Sequence, residues 1–165
     1  MKEHKRPEYK KNEPVIKQAK EFFLTGTKMI DANNFEGGIK ITASYETHRE
    51  LKKIWNDDID LRERFIVLYL NRQNQINGFY TVGVGGVAGV SIDVKMVILP
   101  ALRSMSSAII LAHNHPSGNL NPSKADRAIT DKIKAAAKLF DILVLDHLIL
   151  TPENGYYSFA DEGWI

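Results

Sequence analysis

The stretch Leu111 to Asp126 reads LAHNHPSGNLNPSKAD. His113 and His115 sit one residue apart, and Asp126 follows eleven positions after the second. The apolar run Ala108–Ala112 just before them reads as a buried strand. Strand side chains alternate faces, so the two histidines point the same way if the strand continues to them. Two imidazoles on one face can share a small cation. Pro116 cannot donate to a ladder and ends the strand. Ser123-Lys124-Ala125-Asp126 then has the S-x-x-[DE] form of a capping box. On one reading Asp126 only returns the cap of Ser123. On the other it lies in the first helical turn, directed back toward the helix start and kept ionised there by the helix dipole. A His-His-Asp set with one position open to water is an arrangement of catalytic zinc. The chain has no cysteine, so a metal site must use nitrogen and oxygen ligands.

The elements that must position these residues are legible in outline. Phe65–Leu70, FIVLYL, is a continuous apolar run of strand length and reads as a central buried strand. A turn at Arg72–Asn74 returns the chain into a strand over Ile76–Val84. Ile39–Thr42 alternates like a strand, and Ser44 can cap a helix carrying Leu51, Ile54 and Trp55. Ser91–Ser104 reads as helical, with Pro100 as a kink or early stop. Ser123–Phe140 is the clearest helix, with an apolar stripe of Ile129, Ile133, Ala136, Ala137 and Phe140. Ile142–Leu150 is a strand, and Pro152–Gly155 turns it into Tyr156–Phe159. Helices interspersed with hairpin-linked strands predict an α/β fold with a mixed sheet flanked by helices. The glycine-rich Gly83–Gly89, GVGGVAG, follows a strand but meets neither phosphate-loop spacing, so it reads as a connecting loop.

The 165 residues are enough for one domain, and the net charge of +2 gives no general argument for nucleic acid. Residues 1–38 divide into a basic, partly disordered tail, a short amphipathic helix over Pro14–Leu24 with Val15, Ala19, Phe22 and Phe23 on one face, and a linker. Lys2, Lys5, Arg6, Lys10 and Lys11 make that tail either a solvated segment or a nucleic-acid-binding arm. Residues 39–165 form the domain. No apolar run approaches the roughly 18 residues of a membrane helix, and the N-terminus lacks the apolar stretch of a secretory signal. The expectation is a cytoplasmic protein with no membrane partner.

Longer stretches carry a family resemblance. His113-x-His115-Pro116, six residues, then Ser123-x-x-Asp126 matches the JAMM motif of zinc isopeptidases and peptidases. HNHPSG with PSKAD, LDHLIL at Leu145–Leu150 and GYYSF at Gly155–Phe159 resembles the RadC family, whose domain is also called JAB or MPN-like. The resemblance covers roughly Ile39 to Ile165. It implies a cytidine-deaminase-like three-layer arrangement and one Zn²⁺ held by His113, His115 and Asp126. It also implies a catalytic glutamate before the first central strand, at the position of Glu63. The plain alternative for Glu63 is one more surface acid near Asp57, Asp58 and Asp60. Ser123 combines helix cap with oxyanion or water contact. His147 either supports a ligand or is a hydrogen-bonded strand residue, and Asn114 faces away. RadC proteins commonly carry a helix-hairpin-helix DNA-binding module ahead of this domain, and Met1–Gly38 shows no such glycine-centred hairpin.

Three functions compete. The first is a zinc-dependent peptidase or isopeptidase acting on an unidentified peptide or protein substrate. The second is a DNA-repair-associated or DNA-binding accessory protein with a structural or vestigial zinc. Within it, nuclease chemistry rests only on the letters His-Asn-His, and a nuclease of that type needs a hairpin-and-helix metal fold rather than a tripeptide at a strand end. The third is a scaffold that kept the fold without turnover. Substrate and oligomeric state are not readable.

Overall fold

Apolar residues alternate so that both faces of one sheet are covered. A computed structural model describes residues 38–55, 59–86, 91–153 and 155–165. Its elements are α1 (Ser44–Ile54), β1 (Arg64–Leu70), β2 (Ile76–Val84), α2 (Val94–Arg103), β3 (Ala108–Asn114), α3 (Lys124–Lys138), β4 (Leu143–Leu150) and β5 (Tyr156–Ser158). The five strands form one sheet in the order β2-β1-β3-β4-β5. β3 and β4 are parallel, joined through α3, and every other neighbouring pair is antiparallel. The fold is α/β with a mixed sheet.

Strand period decides which residue serves which layer. Ile66, Leu68 and Leu70 of β1 pack with Ile110 and Ala112 of β3 and with Leu51 of α1 on one face. Phe65, Val67 and Tyr69 pack with Ile109 and Leu111, Val97 of α2 and Ile133 of α3 on the other. Helices therefore cover the sheet on both sides, in the three layers the resemblance implied. Each fully buried leucine or isoleucine contributes about 1.5–3 kcal/mol, so the site stands on the best-packed part of the molecule. On β3 the alternation sends His113 toward α3 and Asn114 toward α1.

Several local expectations are corrected. Ile39–Thr42 makes only an isolated bridge, Lys40 to Gln75, because its partner is the short β1–β2 turn and no ladder can extend there. Ala43, not Ser44, is the cap residue of α1. Glu46 Oε2 accepts from Thr42 N at 2.7 Å and Thr42 Oγ1 at 2.9 Å. The Ser44 hydroxyl bonds instead to Asp161 at 2.6 Å and lies 3.1 Å from the Tyr156 hydroxyl. Asp93 caps α2, which runs past Pro100 to Arg103. The Pro100 ring lies buried on the apolar face, and Ser104 N and Oγ both donate to its carbonyl, at 2.9 and 2.8 Å. Phe140 is past the end of α3 and half exposed, so it leaves the apolar stripe. The Arg127 guanidinium packs 4.2 Å from the centre of the Trp164 ring. Gly83 and Val84 belong to β2, whereas residues 87–90 of the glycine-rich stretch and the tail over 1–37 lie outside the described residues. Among the described residues no helix is long and apolar enough to cross a membrane.

Candidate metal centre

β3 ends at Asn114, but pairing persists one residue further through His115 N to the Leu150 carbonyl, 2.9 Å. Both histidines are thus anchored to the parallel β3–β4 pair. The chain then turns at Pro116 and passes Gly118, whose φ of +79° suits a residue without Cβ. It enters α3 through a complete capping box. Asp126 N donates to Ser123 Oγ at 3.1 Å, and Asp126 Oδ2 accepts from Ser123 N at 2.6 Å. The return path brings Asp126 back against the strand end.

The three donor atoms converge. His113 Nε2 and His115 Nε2 are 3.0 Å apart. Asp126 Oδ1 is 3.3 Å from the first and Oδ2 is 3.6 Å from the second. Ligand atoms at about 2.0–2.1 Å from a tetrahedral zinc lie about 3.3 Å from one another, so these separations fit one small cation. Proton accounting agrees. The carbonyl of Asn119 can only accept, so His115 Nδ1, 2.5 Å away, must donate to it. A neutral His115 then has a bare Nε2 aimed at the cluster. His113, His115 and Asp126 can therefore hold a metal ion.

The electrostatics of the cluster suit a cation. Hydrogen bonding to Asp126 raises the His115 pKa above the ordinary imidazole range, against the opposing effect of burial. Burial alone would push the Asp126 carboxyl up, but His113 and His115 beside it hold it far below the usual carboxylate range. His147, buried under the cluster with its Nε2 2.8 Å from His113 Nδ1, is kept neutral chiefly by desolvation. His147 is a strand residue hydrogen-bonded to His113, a contact that both readings offered for it contain.

Glu63 lines the same groove as the three donors, an open depression of about 640 Å³. It sits on the residue before β1, and its carbonyl accepts from Gly85 N at 2.8 Å. Ser123 and Asp60 also line the groove, as do Ile92 and Ile129. Sequence reasoning missed what holds Glu63 in place. Asn114 is fully buried on the opposite face of β3. Its Oδ1 accepts from Arg64 N at 2.8 Å, and its Nδ2 donates to the carbonyls of Ile59 at 2.6 Å and Arg62 at 2.9 Å. The residue between the histidines thus clamps the backbone on both sides of Glu63. Strand alternation signalled that Asn114 would face away, but not what it would meet there.

Residues 41–164 match the family described as RadC-like JAB domain. A UPF0758 protein of Flavobacterium johnsoniae is 50% identical over 101 residues, which is 61% of this chain and 44% of that protein. The UPF0758 protein YeeS of Escherichia coli is 41% identical over 136 residues, covering 82% of this chain and 90% of YeeS. The UPF0758 protein YfjY of the same organism is 38% identical over 135 residues, 82% of each chain. This chain therefore spans less than half the length of the first relative and most of the other two.

Proposed function

The chain belongs to the RadC family of JAB domains, and from that premise we propose that it is a zinc-dependent hydrolase of peptide or isopeptide amide bonds. The observation that carries the reading is the convergence of His113, His115 and Asp126 at the head of a groove that Glu63 and Ser123 also line. His113, His115 and Asp126 would hold the zinc, which when bound would supply Lewis acidity and a water made easier to deprotonate. Glu63 takes the proton of the attacking water and delivers it to the leaving amine, the work of a general base turned acid. The Ser123 hydroxyl accepts from Asp126 N through a lone pair, which leaves its own proton for the developing oxyanion.

Charge supports an amide over a nucleic acid. Among the described residues that line the groove there is no lysine or arginine, and Asp60 and Glu63 add two carboxylates. A polyanion gains its affinity from phosphate contacts with basic side chains, and the described lining supplies no lysine or arginine for them. The His-Asn-His letters do not act together either, since Asn114 is turned to the far side of the sheet.

The test is zinc content of the purified chain, followed by a panel of peptide, isopeptide-linked and DNA substrates with and without Glu63→Gln. The expected result is about one zinc per chain and amide cleavage that Glu63→Gln abolishes. Bound zinc with no Glu63-dependent turnover on any amide would overturn the hydrolase; failure to take up zinc on supplementation would overturn the metal.

A further inference from the structure

We propose that Thr130 is a positioning residue for the metal centre, which acts through His147 to fix the nitrogen of His113 left bare for a cation. The inference deepens the zinc reading and uses it for one of two readouts. Thr130 and His147 are both buried beneath the cluster, on α3 and β4. Thr130 Oγ1 lies 2.6 Å from the backbone carbonyl of Asp126 and 2.6 Å from His147 Nδ1. His147 Nε2 lies 2.8 Å from His113 Nδ1. The chain of contacts is closed, because Asp126 also faces His113 Nε2 through its carboxylate.

Protons along this chain can run in only two directions. A threonine hydroxyl has one proton. Given to the Asp126 carbonyl, which can only accept, it leaves a lone pair facing His147 Nδ1, so that nitrogen must carry hydrogen. A neutral imidazole carries one N–H. His147 Nε2 then accepts, His113 Nδ1 donates to it, and a neutral His113 has its Nε2 bare. Given instead to His147, the threonine proton reverses every step and places hydrogen on His113 Nε2, where the cation would bind. The i−4 carbonyl is the common partner of a helical threonine hydroxyl, and here it selects the direction that serves a metal. Phe159, stacked on the His147 ring with centroids 4.8 Å apart, and Phe65, edge-on at 5.5 Å, hold the plane of that ring. Partners of this kind fix ligand tautomer and typically change metal affinity about 10–100-fold when removed.

The experiment uses the full chain with ¹⁵N-labelled histidine, in alkaline buffer, as the metal-stripped wild type, Thr130→Val and Thr130→Ser. Long-range ¹H–¹⁵N correlation reads each tautomer, and competition with a chromophoric chelator reads Zn²⁺ affinity. In the wild type the Nδ1 atoms of both His113 and His147 are expected to carry hydrogen, and any proton that His113 Nε2 shares with the Asp126 carboxylate, 3.3 Å away, is the one a cation displaces. Thr130→Val is expected to lose that pattern and weaken zinc about 10–100-fold, and Thr130→Ser to restore both. A wild-type His147 found as Nε2–H, or a folded Thr130→Val with wild-type tautomers and affinity, overturns the proposal. Should Thr130→Val fail to fold, the wild-type spectrum and the serine variant decide. A wild-type chain that shows the expected tautomers but takes up no zinc supports the relay and overturns the metal reading instead.

Discussion

The two sides of the groove are built differently. On the metal side, His113, His115 and Asp126 project from the end of β3 and the start of α3, and every one is tied by hydrogen bonds that fix its direction. On the other side Glu63 belongs to no helix or strand; its segment is held through backbone bonds from Asn114 and Gly85. The metal side is preorganised by side-chain contacts, whereas the glutamate is placed only as well as its backbone is placed. Binding a cation and moving a proton should therefore be separable by mutation.

The largest effect tests that separation directly. Glu63→Gln should lower amide turnover about 10²–10⁴-fold while zinc affinity, measured against a chelator, stays within a few-fold of wild type. His115→Ala should do the opposite at the first step, lowering zinc affinity on the order of 100-fold or more. Equal losses of zinc in both variants would erase the distinction between the two sides.

Asn114→Ala probes the clamp. It leaves the Ile59 and Arg62 carbonyls and the Arg64 N–H without the partners they have now. The cost should be about 2–4 kcal/mol in chemical denaturation, since a buried group that loses its partner costs about 1–3 kcal/mol and these three are only partly buried. Turnover should fall further than zinc affinity. A variant that loses zinc as readily as turnover would show that Asn114 supports the histidines rather than Glu63.

Proton and metal compete for the same atoms, which sets the pH dependence. The raised His115 pKa stabilises the metal-stripped fold below the ordinary histidine value, and that contribution fades as pH rises through the raised value. The depressed Asp126 pKa adds stability above the ordinary carboxylate range and loses it as pH falls through its folded value. Zinc needs a deprotonated His115. The gap in Tm between zinc-loaded and stripped protein should widen from pH 5 to about pH 8; a constant gap would show that no proton is displaced from this cluster.

The smallest effect on stability and on zinc is expected at Ser123→Ala, which removes a helix cap worth about 1 kcal/mol. Thermal melts should register it while the first turn of α3 keeps Asp126 near the histidines. A zinc loss as deep as that of His115→Ala would mean that the capping box, and not the buried network, holds the metal side together.

Much of this was legible because it is local. His113 and His115 share a face through strand period alone, the capping box announced the start of α3, and FIVLYL announced the central strand. Three things were not legible. Thr130 lies four residues beyond Asp126 on the buried face of α3, a polar residue within an apolar stripe; that was its only signal. The clamp from Asn114 needs β1 and β3 side by side, a pairing of Phe65 with His113 across 48 positions of sequence. The partner of His147 depends on the parallel β3–β4 register, in which His147 sits opposite Leu111 and next to His113.

By itself the sequence determined the donor types, their strand and helix spacing, and through its motifs the family. These follow from periodicity and capping, which act over a few residues. Only the tertiary structure decided which nitrogen of each histidine faces the site, what holds the backbone at Glu63 beside the three donors, and which buried hydroxyl meets His147. Those are contacts between residues distant in the chain, and a proton's position is set by the partner it meets, not by its neighbours in sequence.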